Sequence, residues 1–240
     1  MPALPHAVLF DLDDTLIRAY AQPEEAWTRL LHVFAVELDA HTPEEIERVR
    51  KVVMEESRAF WNNSVAAAKW RLNIPGARRL ATRAGLERLG RKDDDLADRI
   101  ADAFTELRRS EYRLYPDALA TVDALRAKGV KLALVTNGAS EMQRPKIARF
   151  DLGHRFDHIQ IEGEFGLGKP EPDVYRHALE KLGCQACDAW MVGDNYEWEV
   201  VAPQTLGMSG VWYNPFDVEL PQHATRPTRV IKRLGELLED

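Results

Sequence analysis

The chain has 240 residues, 45% hydrophobic and 30% charged, a make-up that suits one large globular domain or a domain with an insert and excludes a disordered or fibrous chain. Its 32 basic and 39 acidic residues leave a net charge of −7, which argues against general nucleic-acid binding, since such proteins carry a basic footprint. The apolar runs at 7–10 and 132–135 stop at four residues, far short of the roughly 20 of a membrane span, so no membrane partner is expected.

The opening Met1-Pro2-Ala3-Leu4-Pro5 lacks a basic flank, and no secretory signal is expected. Two cysteines, Cys184 and Cys187, exclude a disulfide framework and point to a reducing cytoplasm. Residues 7–11 form an apolar run ending in acid, as in a buried parallel strand. Residues 22–112 read as helical throughout. Pro23-Glu24-Glu25 suits a first turn, and Trp27, Leu30, Leu31, Phe34 and Leu38 recur at helical spacing. Thr42 and Glu45 have the capping-box spacing, and Ile46, Val49, Val53 and Phe60 continue one apolar face. Asp93-Asp94-Asp95 suits another helix start. Trp27, Trp61 and Trp70 are expected in the core of this segment.

After Tyr115-Pro116 strands and helices alternate. Helix 117–128 stops at Gly129, strand 130–135 leads to Thr136-Asn137-Gly138 and a helix, and 158–161 is a short strand. Helix 171–182 stops at Gly183, strand 189–192 runs into Gly193-Asp194, and a further helix precedes strand 210–213. This alternation predicts an α/β fold, a Rossmann-like parallel sheet with helices on both faces. Ligands bind such sheets at the C-terminal ends of the strands. Those ends carry Asp11, Asp13, Thr136, Asn137 and Asp194, and Lys169 lies in the loop Gly166-Leu167-Gly168-Lys169-Pro170. Carboxylates gathered there repel unless a cation separates them, and Mg²⁺ is the natural oxygen-liganded choice. A lysine and a threonine hydroxyl beside it can hold phosphoryl oxygens, one carboxylate can attack phosphorus, and a second can move protons.

The order of Asp11-Leu12-Asp13-Asp14-Thr15, Val135-Thr136-Asn137-Gly138, Gly168-Lys169-Pro170-Glu171-Pro172 and Val192-Gly193-Asp194-Asn195 resembles the haloacid dehalogenase (HAD) superfamily. The resemblance implies a core domain of residues 1–20 and 113–240 and an α-helical cap domain of residues 21–112, opening and closing about 17–19 and 114–116. Asp11 would be the nucleophile that becomes an aspartyl phosphate, and Asp13 the acid that protonates the leaving oxygen and then activates water. Thr136 and Lys169 would bind phosphoryl oxygens with Asn137 nearby. Asp11, the Asp13 main-chain carbonyl and Asp194 would hold Mg²⁺, and Thr15 would support the first loop. Glu199 stands where an aspartate is commoner, so it and Asn195 are expected beside the metal site rather than as direct ligands.

Eight basic residues (Lys69, Arg71, Arg78, Arg79, Arg83, Arg88, Arg91, Lys92) against Glu87 give residues 69–92 a basic excess. A solvated helix face is one reading. The other is that Arg78 or Arg79 reads a second anionic group of the substrate. The activity expected is a Mg²⁺-dependent phosphatase acting on a small soluble phosphomonoester. A sugar phosphomutase on the same core is the alternative. A dehalogenase is disfavoured because relatives with that chemistry lack the carboxylate present here as Asp13, and a non-catalytic phosphate-binding protein because every core catalytic residue is retained.

Overall fold

A computed structural model describes residues 4–20, 22–220 and 224–239; Met1–Ala3, part of the N-terminal reading above, lie outside these. In chain order, β1 (Ala7–Phe10) and β2 (Ile17–Arg18) precede five helices: α1 (Glu24–Val33), α2 (Pro43–Asn62), α3 (Ser64–Trp70), α4 (Ile74–Arg88) and α5 (Asp94–Glu111). Then come β3 (Arg113–Leu114), α6 (Ala118–Ala127), β4 (Lys131–Thr136), α7 (Ser140–Arg149), β5 (His158–Ile161), α8 (Glu162–Phe165) and α9 (Pro172–Leu182). The chain continues through β6 (Ala189–Gly193), a π-helical turn at Glu197–Val201, α10 (Ala202–Thr205), β7 (Ser209–Tyr213) and β8 (Arg229–Ile231).

Two compact units result, one of Met1–Arg18 with Arg113–Asp240 and one of Ala19–Tyr112. The first crossing falls two residues before the expected boundary at 20. Ala19 and Tyr20 go with the helical unit because the Ala19 carbonyl accepts Arg108 Nη2 at 2.9 Å and Arg78 lies over the Tyr20 ring. Where the chain leaves and re-enters the sheet unit, β2 and β3 pair antiparallel, Ile17 opposite Leu114 and Arg18 opposite Arg113.

The sheet unit holds six parallel strands in the order β5-β4-β1-β6-β7-β8. All four β1 residues are fully buried, the mark of a strand covered on both faces. Ala7 and Leu9 join Ala133, Val135, Ala189 and Met191 against Val174, Tyr175, Ala178 and Leu182 of α9. Phe10 is in register with Leu134 of β4 and Val192 of β6. That alignment brings the residues following each of the three central strands to one edge. The strand β8 goes unpredicted because three residues, one of them buried, carry too little pattern.

In the helical unit, Thr42 closes the expected capping box with Glu45, and Asp93 caps α5 through Leu96 N. Trp27 stacks on Phe104 with ring centroids 3.9 Å apart, within a core that includes Leu31, Leu38, Ile46, Val49 and Ile100. Three expectations change here. Helix α1 ends at Val33, so Phe34 and Leu38 lie in the following turns, although Leu38 is fully buried. Trp61 and Trp70 are half-buried rather than core, meeting Phe60 edge-on at 5.3 and 6.4 Å. The expected uninterrupted helical run breaks at Asn63 and Asn73, whose side chains cap α3 and α4. Among the described residues no helix is long and apolar enough to cross a membrane.

Candidate active site

The loop after β1 turns tightly: Leu16 N and Ile17 N both reach the Leu12 carbonyl, and Asp14 adopts a left-handed backbone (φ 61°) that aspartate tolerates. Asp11 N bonds the Val192 carbonyl at 3.0 Å, fixing Asp11 at the end of the sheet. The Thr15 hydroxyl lies 3.1 Å from Asp11 Oδ2 and 3.4 Å from Asp194 Oδ1, and it accepts Asp194 N–H at 3.2 Å. Thr15, fully buried, therefore ties the first loop to the end of β6.

Lys169 is also fully buried, with Nζ 2.6 Å from Asp11 Oδ1 and 2.8 Å from Glu199 Oε1. Burial works against the ammonium, but the Asp11 and Glu199 charges outweigh it and raise its pKa. Glu199 sits in the π-helical turn that follows β6, a distortion often found at functional positions. Asn195 accepts from Trp198 N through its side chain and from Glu199 N through its carbonyl, so it shapes this turn. Gly193 is required by close approach: a Cβ there would collide with Glu199 Cγ and lie 3.0 Å from Asp11 Cβ.

Burial raises the pKa of all three acids. Asp11 is raised despite Lys169, Asp194 is raised well above the usual range by burial and then by Asp11, Glu199 and Asp14, and Glu199 is pushed up to about 7. Ionised, the three carboxylates outnumber the one ammonium. Glu199 Oε2 is buried without a hydrogen-bond partner among the described residues. This surplus of hard oxygen donors and negative charge fits a divalent cation. No three His, Cys, Asp or Glu side chains form a ready cage among the described residues. Asp11 and Asp194 meet at the Thr15 hydroxyl, 3.1 and 3.4 Å from it, and both are hard oxygen donors.

Thr136 ends β4 and is buried. The Asn137 side chain is committed to the Lys169 backbone: Nδ2 donates to the Lys169 carbonyl at 2.8 Å and Oδ1 accepts Lys169 N–H at 2.7 Å. It therefore holds the lysine loop in place. The buried Glu162 accepts Gly138 N–H at 3.0 Å, where Gly138 takes φ +115°, a conformation glycine alone adopts readily.

Three buried polar side chains beside these residues were not singled out by the sequence: Glu162, Gln143 and Lys146. Lys146 Nζ lies 2.7 Å from both Asp13 carboxylate oxygens, and Gln143 Nε2 lies 2.9 Å from Asp13 Oδ2 and 2.6 Å from Thr136 Oγ1. The available signal was the spacing of Gln143 and Lys146, three apart on one face of the helix after Thr136-Asn137-Gly138.

The two arginines expected to read an anion differ. Arg79 is exposed and bidentate to Asp102 at 2.8 and 2.7 Å, which occupies its guanidinium. Arg78 is half-buried, bonded to the Thr105 hydroxyl at 3.0 Å and set over the Phe104 ring, and burial lowers its pKa. Of the other basic residues, Arg83 pairs with Asp94 and Asp98, Arg88 with Glu55 and Glu56, and Lys92 with Glu87, whereas Arg91 donates to the Asp39 main-chain carbonyl and Lys69 lies over the Trp70 ring. Cys184 is buried against α9, Cys187 is exposed, and both are free.

A family model described as haloacid dehalogenase-like hydrolase matches residues 5–207. Phosphoserine phosphatase of Thermus thermophilus is 38% identical over 160 residues, 62% of this chain and 64% of its own length. The match thus spans just under two thirds of that relative. Glyceraldehyde 3-phosphate phosphatase of Methanopyrus kandleri is 28% identical over 84% of this chain and 81% of its own. Among solved structures, 2-haloacid dehalogenase from Pseudomonas syringae has a TM-score of 0.61 at 27% identity, covering 98% of this chain and 97% of its own. The magnesium-bound YfnB of Bacillus subtilis, 21% identical over 98% of this chain and 97% of its own, has a TM-score of 0.71 and shares the fold.

Proposed function

The chain belongs to the haloacid dehalogenase-like hydrolases, and we propose that it is a Mg²⁺-dependent phosphatase that hydrolyses a small soluble phosphomonoester through an aspartyl phosphate on Asp11. The observation that carries this reading is the buried contact of Asp11 with Lys169, with a second carboxylate, Asp13, two residues on. The phosphatase names of the two relatives support it.

An Asp11 oxygen attacks phosphorus, the Asp11–phosphorus bond forms and the ester P–O bond breaks. Asp13 gives its proton to the departing oxygen. Asp13 then takes a proton from water as the water oxygen attacks phosphorus and frees Asp11. Lys169 and the Thr136 hydroxyl hold the non-bridging oxygens, with the Asn137 main chain beside them. Mg²⁺, held by Asp11, Asp194 and the Asp13 carbonyl, would supply charge neutralisation at the phosphoryl group. Thr15, Asn195 and Glu199 position these groups.

A dehalogenase relative, (S)-2-haloacid dehalogenase 1 of Pseudomonas sp., is 29% identical over 67% of this chain. Carbon–halogen cleavage needs no acid for a leaving oxygen, so it gives Asp13 no task. The test is phosphate release from a panel of small phosphate esters, with Mg²⁺ and with EDTA. Metal-dependent release is expected; halide release from 2-haloacids with no phosphate release from any ester overturns the reading.

A further inference from the structure

Asp13 sits in a loop, and a short carboxylate there has rotamers to choose from. Its two oxygens are nevertheless both engaged: Lys146 Nζ lies 2.7 Å from each, and Gln143 Nε2 lies 2.9 Å from Oδ2. Lys146 also lies 2.8 Å from Gln143 Oε1, so the two helix α7 side chains brace each other. Gln143 Nε2 is in addition 2.6 Å from Thr136 Oγ1 and 2.8 Å from the Asn137 carbonyl. One amide thus spans the carboxylate at the end of the first loop and the hydroxyl at the end of β4.

Both side chains are nearly inaccessible, Lys146 at 2% and Gln143 at 1% exposure. Burying an ammonium is costly, and a well-packed apolar pair of similar volume usually serves stability as well or better. Stability alone therefore does not account for a lysine here. Nor does contact with the anionic centre: Lys169 already serves Asp11 and Glu199.

We propose that Lys146, with Gln143, is a positioning residue that fixes the Asp13 carboxylate at a set distance from Thr136, so that proton transfer and phosphoryl binding are held in register. The inference rests on the phosphatase reading above. Lys146 itself touches neither ester nor water in this account; it acts through Asp13.

The test is the first-turnover rate of alcohol release from an alkyl phosphate that the wild type hydrolyses, and from p-nitrophenyl phosphate, whose leaving group needs no proton. For Lys146→Met the alkyl phosphate rate should fall about 100-fold, while the p-nitrophenyl phosphate rate stays within about threefold. On p-nitrophenyl phosphate a burst should appear, because Asp13 is also needed to activate water for the second half. Unchanged rates, or an equal loss on both esters in a folded variant, overturn the inference. Gln143→Leu is read in the same way if Lys146→Met does not fold. A wild type that releases phosphate from neither ester overturns the phosphatase reading and this inference with it.

Discussion

In the sheet unit Lys169, Glu199 and Lys146 are each no more than 2% exposed, and they form ion pairs with one another or with Asp11 and Asp13. In the helical unit Arg79, Arg83, Arg88 and Arg99 keep 38–51% of their side chains exposed while pairing with Asp102, Asp98, Glu55 and Glu37. These pairs lie at different depths in the two units. A surface pair forms at little desolvation cost and contributes little. A buried one costs several kcal/mol per ion before attraction offsets it. Buried charge gathers at the strand ends of the sheet unit, where we place the chemistry, while the helical unit buries Arg108, paired with Glu111. The helical unit is instead held by apolar packing such as the Trp27–Phe104 stack.

The contrast is broken most forcefully by removing one buried partner. Lys169→Met leaves Asp11 and Glu199 without their ammonium and should cost about 3–5 kcal/mol of stability at neutral pH, read by urea unfolding in EDTA. The deficit should shrink at pH 5, because Glu199, pushed up to about 7, is then protonated and no longer needs the lysine. A deficit that does not change with pH would mean that the carboxylates are not what Lys169 stabilises. On the other side, Arg79→Ala should cost no more than about 1 kcal/mol. A loss as large as that of Lys169→Met would erase the distinction between the units.

A finer test uses an exposed pair of the sheet unit. Arg144 and Ser140 hold Glu164 down to about 2, Arg144 Nε at 2.7 Å. A lowered carboxylate adds stability that is present above its ordinary value near 4.5 and lost as pH falls toward about 2. Glu164→Gln should therefore lower stability by less than about 1 kcal/mol at pH 7, since the site is partly exposed and screened. The difference from wild type should vanish by pH 2–2.5. A pH-independent difference would assign the effect to packing.

The same contrast separates what was legible in the sequence from what was not. The meeting of Asp11, Thr136 and Asp194 was legible because a parallel sheet brings the residues after its strands together, and the strands announce themselves as apolar runs; Lys169, in the loop before α9, was legible only through its Gly168-Lys169-Pro170 motif. The Thr42–Glu45 capping box was legible because it is local. The fate of the basic run 69–92 was not, since, apart from Glu87 beside Lys92, the acids that pair with it lie at 55, 56, 94, 98 and 102, brought close by helix packing. Gln143 and Lys146 were missed for the reverse reason: polar residues on a short helix read as solvated, yet these face the Asp13 carboxylate inside the fold. Asn137 was expected near the phosphoryl oxygens through its backbone or its side chain, and its side chain is spent on the Lys169 backbone.

The most direct measurement is to locate the phosphoenzyme. Enzyme quenched during turnover of a hydrolysed ester and reduced with borohydride should yield homoserine at position 11 by peptide mass spectrometry, and Asp11→Asn should yield none while losing at least about 1,000-fold in turnover. Homoserine at another position, or Asp11→Asn retaining turnover, would contradict the account.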